Sequence, residues 1–264
     1  DLYESRDLYH KVGYLVAVGQ PFADLVSLAH GCTKSEFEAL LDARIRGSLD
    51  LSPSQVSELS YDANYEKCSH ILLLMNVETV RGVADSTERY PFRRHRERGD
   101  GEGLCWSLEH IHAQQTEGLT KVEQWKSWLE LHRDALIDLP TEDPSRRDAL
   151  IKKIDDNLDS IERSTFDDLA REITALFTLF DDASARESVH SITNLALLPG
   201  DANSKLNNAV FEVKRRRILE LDRGGAYIPI CTRRVFLKYY TEAGAQQIHF
   251  WGPQDRESYL QAMT

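Results

Sequence analysis

Trp106-Ser107-Leu108-Glu109-His110-Ile111-His112 is the stretch on which the reading of this chain turns. From Leu104 the side chains alternate, with Leu104, Trp106 and Leu108 on one face and Cys105, Ser107 and Glu109 on the other. That period of two predicts a strand whose polar side ends at an acid directly before a histidine. Downstream, in Ile192-Thr193-Asn194-Leu195-Ala196-Leu197-Leu198, the stretch from Thr193 to Leu198 reads as a second short apolar strand. Pro199-Gly200-Asp201 supplies the turn after it, and Asn203-Ser204-Lys205 opens a helix that runs to about Leu221 with Asn203 in its first turn. Glu109 offers a hard oxygen ligand, and His110 a base that is neutral near physiological pH. Asn203 offers a second oxygen beside the positive end of a helix, where a phosphate is favoured. Together these residue types predict the two halves of one metal site suited to phosphodiester hydrolysis.

Working outward, the first hundred residues read as helical. Phe37, Leu40, Leu41 and Ile45 predict a helix over 34–46, and Tyr65, Cys68, Leu72 and Met75 predict one from about 63 to 83 capped by Asp62 or Asn64. Arg98-Gly99-Asp100-Gly101-Glu102-Gly103 is too polar and Gly-rich to be anything but a loop. Between the two strands, residues 119–182 read as an inserted helical unit. Val122, Trp125, Leu129 and Leu136 form one stripe, Pro140 and Pro144 interrupt it, and Phe166, Leu169, Ile173, Leu176 and Phe180 form another. Gly224-Gly225 closes the helix that follows Asn203, and the aromatic tail from Tyr227 to Tyr259 predicts a segment that packs back on the core.

The chain has 264 residues, 41% of them hydrophobic, enough to bury a sizeable core. No apolar run approaches the ~18 residues of a membrane span. The start at Asp1, without Met or a signal pattern, is read as that of a fragment or a trimmed chain. The four cysteines, Cys32, Cys68, Cys105 and Cys231, form no Cys-x-x-Cys pair, which argues against a structural zinc and for reduced thiols in a cytoplasmic protein. A net charge of −11 excludes general adhesion to nucleic acid. Contact with DNA is expected only at two basic clusters, Arg93, Arg94, Arg96 and Arg98 before the first strand and Lys214, Arg215, Arg216 and Arg217 on the helix.

With these residues in place the chain resembles the HNH (His-Me finger, ββα-metal) endonucleases, and within them the C-terminal nuclease domain of GmrSD-type modification-dependent restriction enzymes. Glu109-His110-Ile111 matches the family's acid-His-Ile core, Asn194 its middle Asn, and Asn203, nine positions on, its metal-binding residue; Asn208, Phe211, Lys214 and Arg215 resemble its trailing pattern. Ala113 stands where many relatives carry Pro, and the two motif halves lie farther apart than in compact HNH domains.

The resemblance implies a mainly α, α+β fold with a small ββα-metal motif. Residues 1–100 would form a helical N-terminal part, 101–224 the nuclease core with its insertion at about 116–190, and 225–264 a C-terminal packing segment. It implies His110 and Asn194 as catalytic residues, Glu109 and Asn203 as ligands of Mg²⁺ or Mn²⁺, and His112, Asn208, Lys214 and Arg215 as candidate substrate contacts. The implied partners are DNA and an N-terminal nucleotide-handling specificity domain, with no membrane. A catalytically silent nucleic-acid-binding or protein-interaction module is the competing reading, favoured by Ala113 and the acidic surface.

Overall fold

The computed structural model describes residues 4–93, 106–113, 119–177, 189–199, 208–241 and 247–264. Asn203, Arg94, Arg96, Arg98, Cys105, Phe180 and the Gly-rich loop lie outside the described residues. Among those described, ten α-helices surround one antiparallel pair of strands, a mainly helical α+β arrangement.

Among the described elements, four helices precede the strand pair: α1 (Arg6–Ala17), α2 (Phe22–Ala29), α3 (Lys34–Leu49) and α4 (Tyr61–Arg81). Thr33 and Glu36 start α3 with a reciprocal cap, Thr33 Oγ1 accepting from the Glu36 amide at 3.3 Å and Glu36 Oε2 from the Thr33 amide at 2.8 Å. The cap of α4 is Ser60, not Asp62 or Asn64, because the Ser60 hydroxyl reaches the Ala63 amide. Cys68, Leu72 and Met75 are buried along α4 as their spacing predicts, whereas Tyr65 is 43% exposed and its hydroxyl accepts from the Leu108 amide at 3.4 Å.

The strands are β1 (Trp106–His110) and β2 (Leu195–Pro199), with His110 opposite Leu195 and Trp106 opposite Pro199. Thr193 and Asn194, expected as strand, lie in a single 3₁₀ turn (Ile192–Asn194) leading into β2. Leu195 to Leu198 are all buried, consistent with a continuous apolar run rather than an alternating one, since helices cover both faces.

Three helices lie between the strands: α5 (Val122–Ile137), α6 (Pro144–Asn157) and α7 (Arg163–Leu176). Pro144 opens α6 at the position where its missing N–H costs nothing, and Asp143 caps it through the Arg146 amide at 3.0 Å. Trp125, Leu129, Leu136, Phe166, Leu169 and Ile173 form a hydrophobic cluster of their own, joined by Val210, Val213 and Phe250. The chain then forms α8 (Phe211–Arg223), α9 (Ile230–Phe236) and α10 (Pro253–Met263). The expectation for Asn203 lies outside the described residues, and the helix that ends at Arg223 begins at Phe211. Asn208 just before it has φ +64°, a left-handed conformation that breaks helix and that Asn tolerates.

The aromatic tail packs on the hairpin. Trp251 Nε1 donates to the Thr193 carbonyl at 3.2 Å, the Tyr259 hydroxyl to the Leu195 carbonyl at 3.2 Å, and Thr232 Oγ1 to the Leu197 carbonyl at 2.6 Å. A single hydrophobic cluster therefore joins Leu15, Leu41 and Leu72 of the N-terminal helices to Trp106, Leu197, Phe236 and Tyr259. The core crosses the boundary expected at residue 100, because α4 packs on both strands. No helix among the described residues is long and apolar enough to cross a membrane.

Candidate active site

The site forms where β1 ends. The Ile111 amide continues the pairing by donating to the Asn194 carbonyl at 2.7 Å. The Asn194 side chain, fully buried, clamps the chain on both sides. Its Oδ1 accepts from the His112 amide at 3.1 Å, and its Nδ2 donates to the carbonyls of His112 at 2.9 Å and Val189 at 2.8 Å. With those bonds made and no exposure, Asn194 holds the backbone that follows His110.

His110 is half-buried at the end of the strand. Its Nε2 lies 3.2 Å from Nδ1 of His190, and the Tyr61 ring packs on it at 5.0 Å, tilted by 43°. Burial, reinforced by the Lys214 ammonium and by His190, pushes His110 down to about 4, against the opposing pull of Asp62. The ring is therefore neutral and able to accept a proton throughout the physiological range. Asp62 Oδ2 sits 3.7 Å from His190 Nδ1. His190 and Tyr61 were not singled out in the sequence, and Asp62 only as a candidate helix cap. Only an unassigned histidine four residues before Asn194 gave any signal, and the α4 residues gave none, since their approach is tertiary.

Glu109 is buried, and Lys214 from α8, also buried, donates to its Oε1 and to the His110 carbonyl, the latter at 2.6 Å. Burial draws the Lys214 ammonium below its ordinary value while Glu109 holds it up. This corrects the expectation that Lys214 contacts substrate from a solvated face: a helix starting at Phe211 turns that residue inward. The rest of the basic cluster is largely paired. Arg216 meets Glu212 at 2.9 Å and Asp138 at 3.0 Å, Arg217 meets Glu220 at 3.0 Å, and Arg215 lies 3.5 Å from Glu212.

His112 is likewise not available to substrate. It is buried, and its Nδ1 accepts from the Phe211 amide at 3.1 Å, while His132 of α5 accepts the Val210 amide on its Nε2 at 3.3 Å. Val210 has no side-chain acceptor with which to cap α8, and the two rings supply what it lacks. Asn208 is half-buried with its carbonyl held by Trp128 Nε1 at 2.9 Å. Ala113, in place of the resembled family's Pro, donates its amide to the Ala209 carbonyl at 3.3 Å, a bond that a proline has no N–H to make.

The described residues include no group of three His, Cys, Asp or Glu that could hold a metal ion. They do supply one hard carboxylate, Glu109, adjoining His110, and Mg²⁺ commonly takes only one or two protein oxygens and keeps its waters. The donor chemistry at Glu109 thus suits that ion.

Residues 175–263 match the family model of the C-terminal domain of GmrSD restriction endonucleases, which points to a nuclease role of the restriction-endonuclease type. The matched stretch holds His190, Asn194, β2 and α8, but begins after Glu109 and His110. No curated protein and no solved structure matches the chain.

Proposed function

We propose that the chain is an HNH-type, metal-dependent endonuclease that hydrolyses DNA phosphodiesters in bacterial defence against foreign DNA, acting with an N-terminal nucleotide-handling domain. The observation that carries this reading is His110: a neutral imidazole fixed at a strand end, beside a buried carboxylate, and clamped by an Asn that lies in the stretch matching the GmrSD C-terminal domain. His110 would take the proton of the attacking water. Glu109 and Asn203 would hold the cation, Mg²⁺ or Mn²⁺, which when bound supplies charge stabilisation at the phosphate and at the leaving oxygen. Asn194 keeps His110 in register throughout.

Purified protein given supercoiled plasmid and Mg²⁺ is expected to nick it, and His110→Ala to slow nicking by ~10² to 10⁴ while leaving the far-UV spectrum unchanged. Equal rates in the two proteins overturn the assignment. The capture of Glu109 by Lys214 favours a second reading, a silent module in which an internal ammonium has replaced the ion. Calorimetric titration separates the two, since a silent module takes up neither Mg²⁺ nor Mn²⁺.

A further inference from the structure

Among the described residues, His190 is the hydrogen-bond partner of the His110 ring, and several backbone bonds fix its place. The His190 carbonyl accepts from the Tyr61 amide at 2.7 Å, the Ile192 amide donates to the Leu59 carbonyl at 2.9 Å, and Asn194 Nδ2 holds the Val189 carbonyl at 2.8 Å. The backbone around His190 is therefore tied on one side to the start of α4 and on the other to the same asparagine that fixes His110. Its ring meets that of His110 edge-on at 5.2 Å, and Asp62 faces it from α4. Only one ring nitrogen of His110, Nε2, is engaged with a polar partner among the described residues, and that partner is His190 Nδ1.

We propose that His190 is a positioning residue for His110: by accepting the His110 Nε2 proton on its Nδ1, it fixes the imidazole orientation and tautomer, leaving His110 Nδ1 bare as the atom that takes a proton from water. This rests on the nuclease reading for its purpose but not for its geometry. A neutral imidazole carries one ring proton, and whichever nitrogen donates leaves the other as the acceptor. With Nε2–H donated to His190, the step at Nδ1 balances: the water O–H bond breaks, its proton joins the Nδ1 lone pair, the hydroxide left is the nucleophile, and the positive charge forms on the His110 ring, whose Nε2–H stays bonded to His190 Nδ1. Partners of this kind commonly alter activity by ~10 to 100-fold when removed.

The test has two arms. Protein labelled with ¹⁵N-histidine, with His110 assigned by the His110→Ala variant, reports the tautomer at pH 7.5 through its long-range ¹H–¹⁵N pattern. The expected result is an Nε2–H tautomer in wild type, its loss in His190→Ala, and its return in His190→Asn, whose side-chain oxygen takes the place of Nδ1. In the nicking assay, His190→Ala should lower kcat about 10 to 100-fold with KM unchanged, and His190→Asn should recover most of it. A wild-type His110 protonated on Nδ1, or a tautomer indifferent to His190→Ala, overturns the proposal. A wild-type protein that never nicks DNA sinks the nuclease reading instead, and the spectroscopic arm still decides the role of His190. The His190 side chain is 42% exposed, so neither variant leaves a cavity in the core.

Discussion

Glu109 and Lys214 are the residues at which a single side chain decides most. Both are buried, and the Lys214 ammonium meets the Glu109 carboxylate directly. Truncating one partner of such a pair typically costs ~3–5 kcal/mol, since the charge left behind has neither water nor counter-ion. Lys214→Met, close in volume and without the ammonium, should therefore lower the urea midpoint sharply. Mg²⁺ should then restore stability to Lys214→Met more than it raises that of wild type, because ion and ammonium compete for one carboxylate. Equal responses of the two proteins to Mg²⁺ would remove Glu109 from the list of ion-holding residues. The strand end that carries Glu109 and His110 was legible in the sequence from its alternation, whereas the roles given to them and to Asn194 rest on the resemblance. Lys214 was legible as a residue but not as a contact: the helical phase that turns it inward depends on where α8 begins, and Asn208 moved that start to Phe211.

At the scale of elements, α8 shows how histidine can serve as a cap. His112 and His132 accept the Phe211 and Val210 amides only while they are neutral, and burial pushes both down to about 3. Their folded values lie below the unfolded value of about 6.5, so the unfolded chain binds protons first as the pH falls. The contribution of these rings is intact above about pH 6.5 and is lost progressively down to about 3, each tenfold difference in proton affinity between folded and unfolded chain being worth ~1.4 kcal/mol. The urea midpoint is expected to fall across that window. His112→Asn with His132→Gln, which keeps an acceptor near each position but cannot titrate, should flatten the slope there. An unchanged slope in the double variant would assign the acid sensitivity to other groups. Helices such as α5 and α7 were readable from their apolar period because their stripes face a cluster of their own. The capping rings were not, since a buried histidine looks the same in sequence whether it packs, binds phosphate or holds an amide.

At the scale of the molecule, the stretch that resembles a restriction-enzyme domain is expected not to fold alone. Residues 175–263 contain β2 and α8 to α10, but β2 takes its strand partner from β1, which lies earlier in the chain, and its apolar cover from α4 as well as from the tail. Leu195, Leu197 and Leu198 are each at most 1% exposed in the whole chain. Cutting away β1 and α4 would leave that run with an open edge and an open face, an arrangement that aggregates more readily than it folds. A boundary at residue 100 was drawn from the Gly-rich loop, a local signal, whereas the cluster joining Leu72 to Leu197 is a long-range fact that no local pattern carries. Two truncations test this. Residues 175–264 are expected to lack a cooperative urea transition, and residues 101–264, which keep both strands but lose α1 to α4 along with Tyr61 and Asp62, to behave the same way. The insertion makes the contrast: residues 119–177 hold most of a hydrophobic cluster of their own and should retain helical circular dichroism when expressed alone. A cooperative transition in 101–264 would show that the N-terminal helices cover an already stable core, and would return the boundary to residue 100.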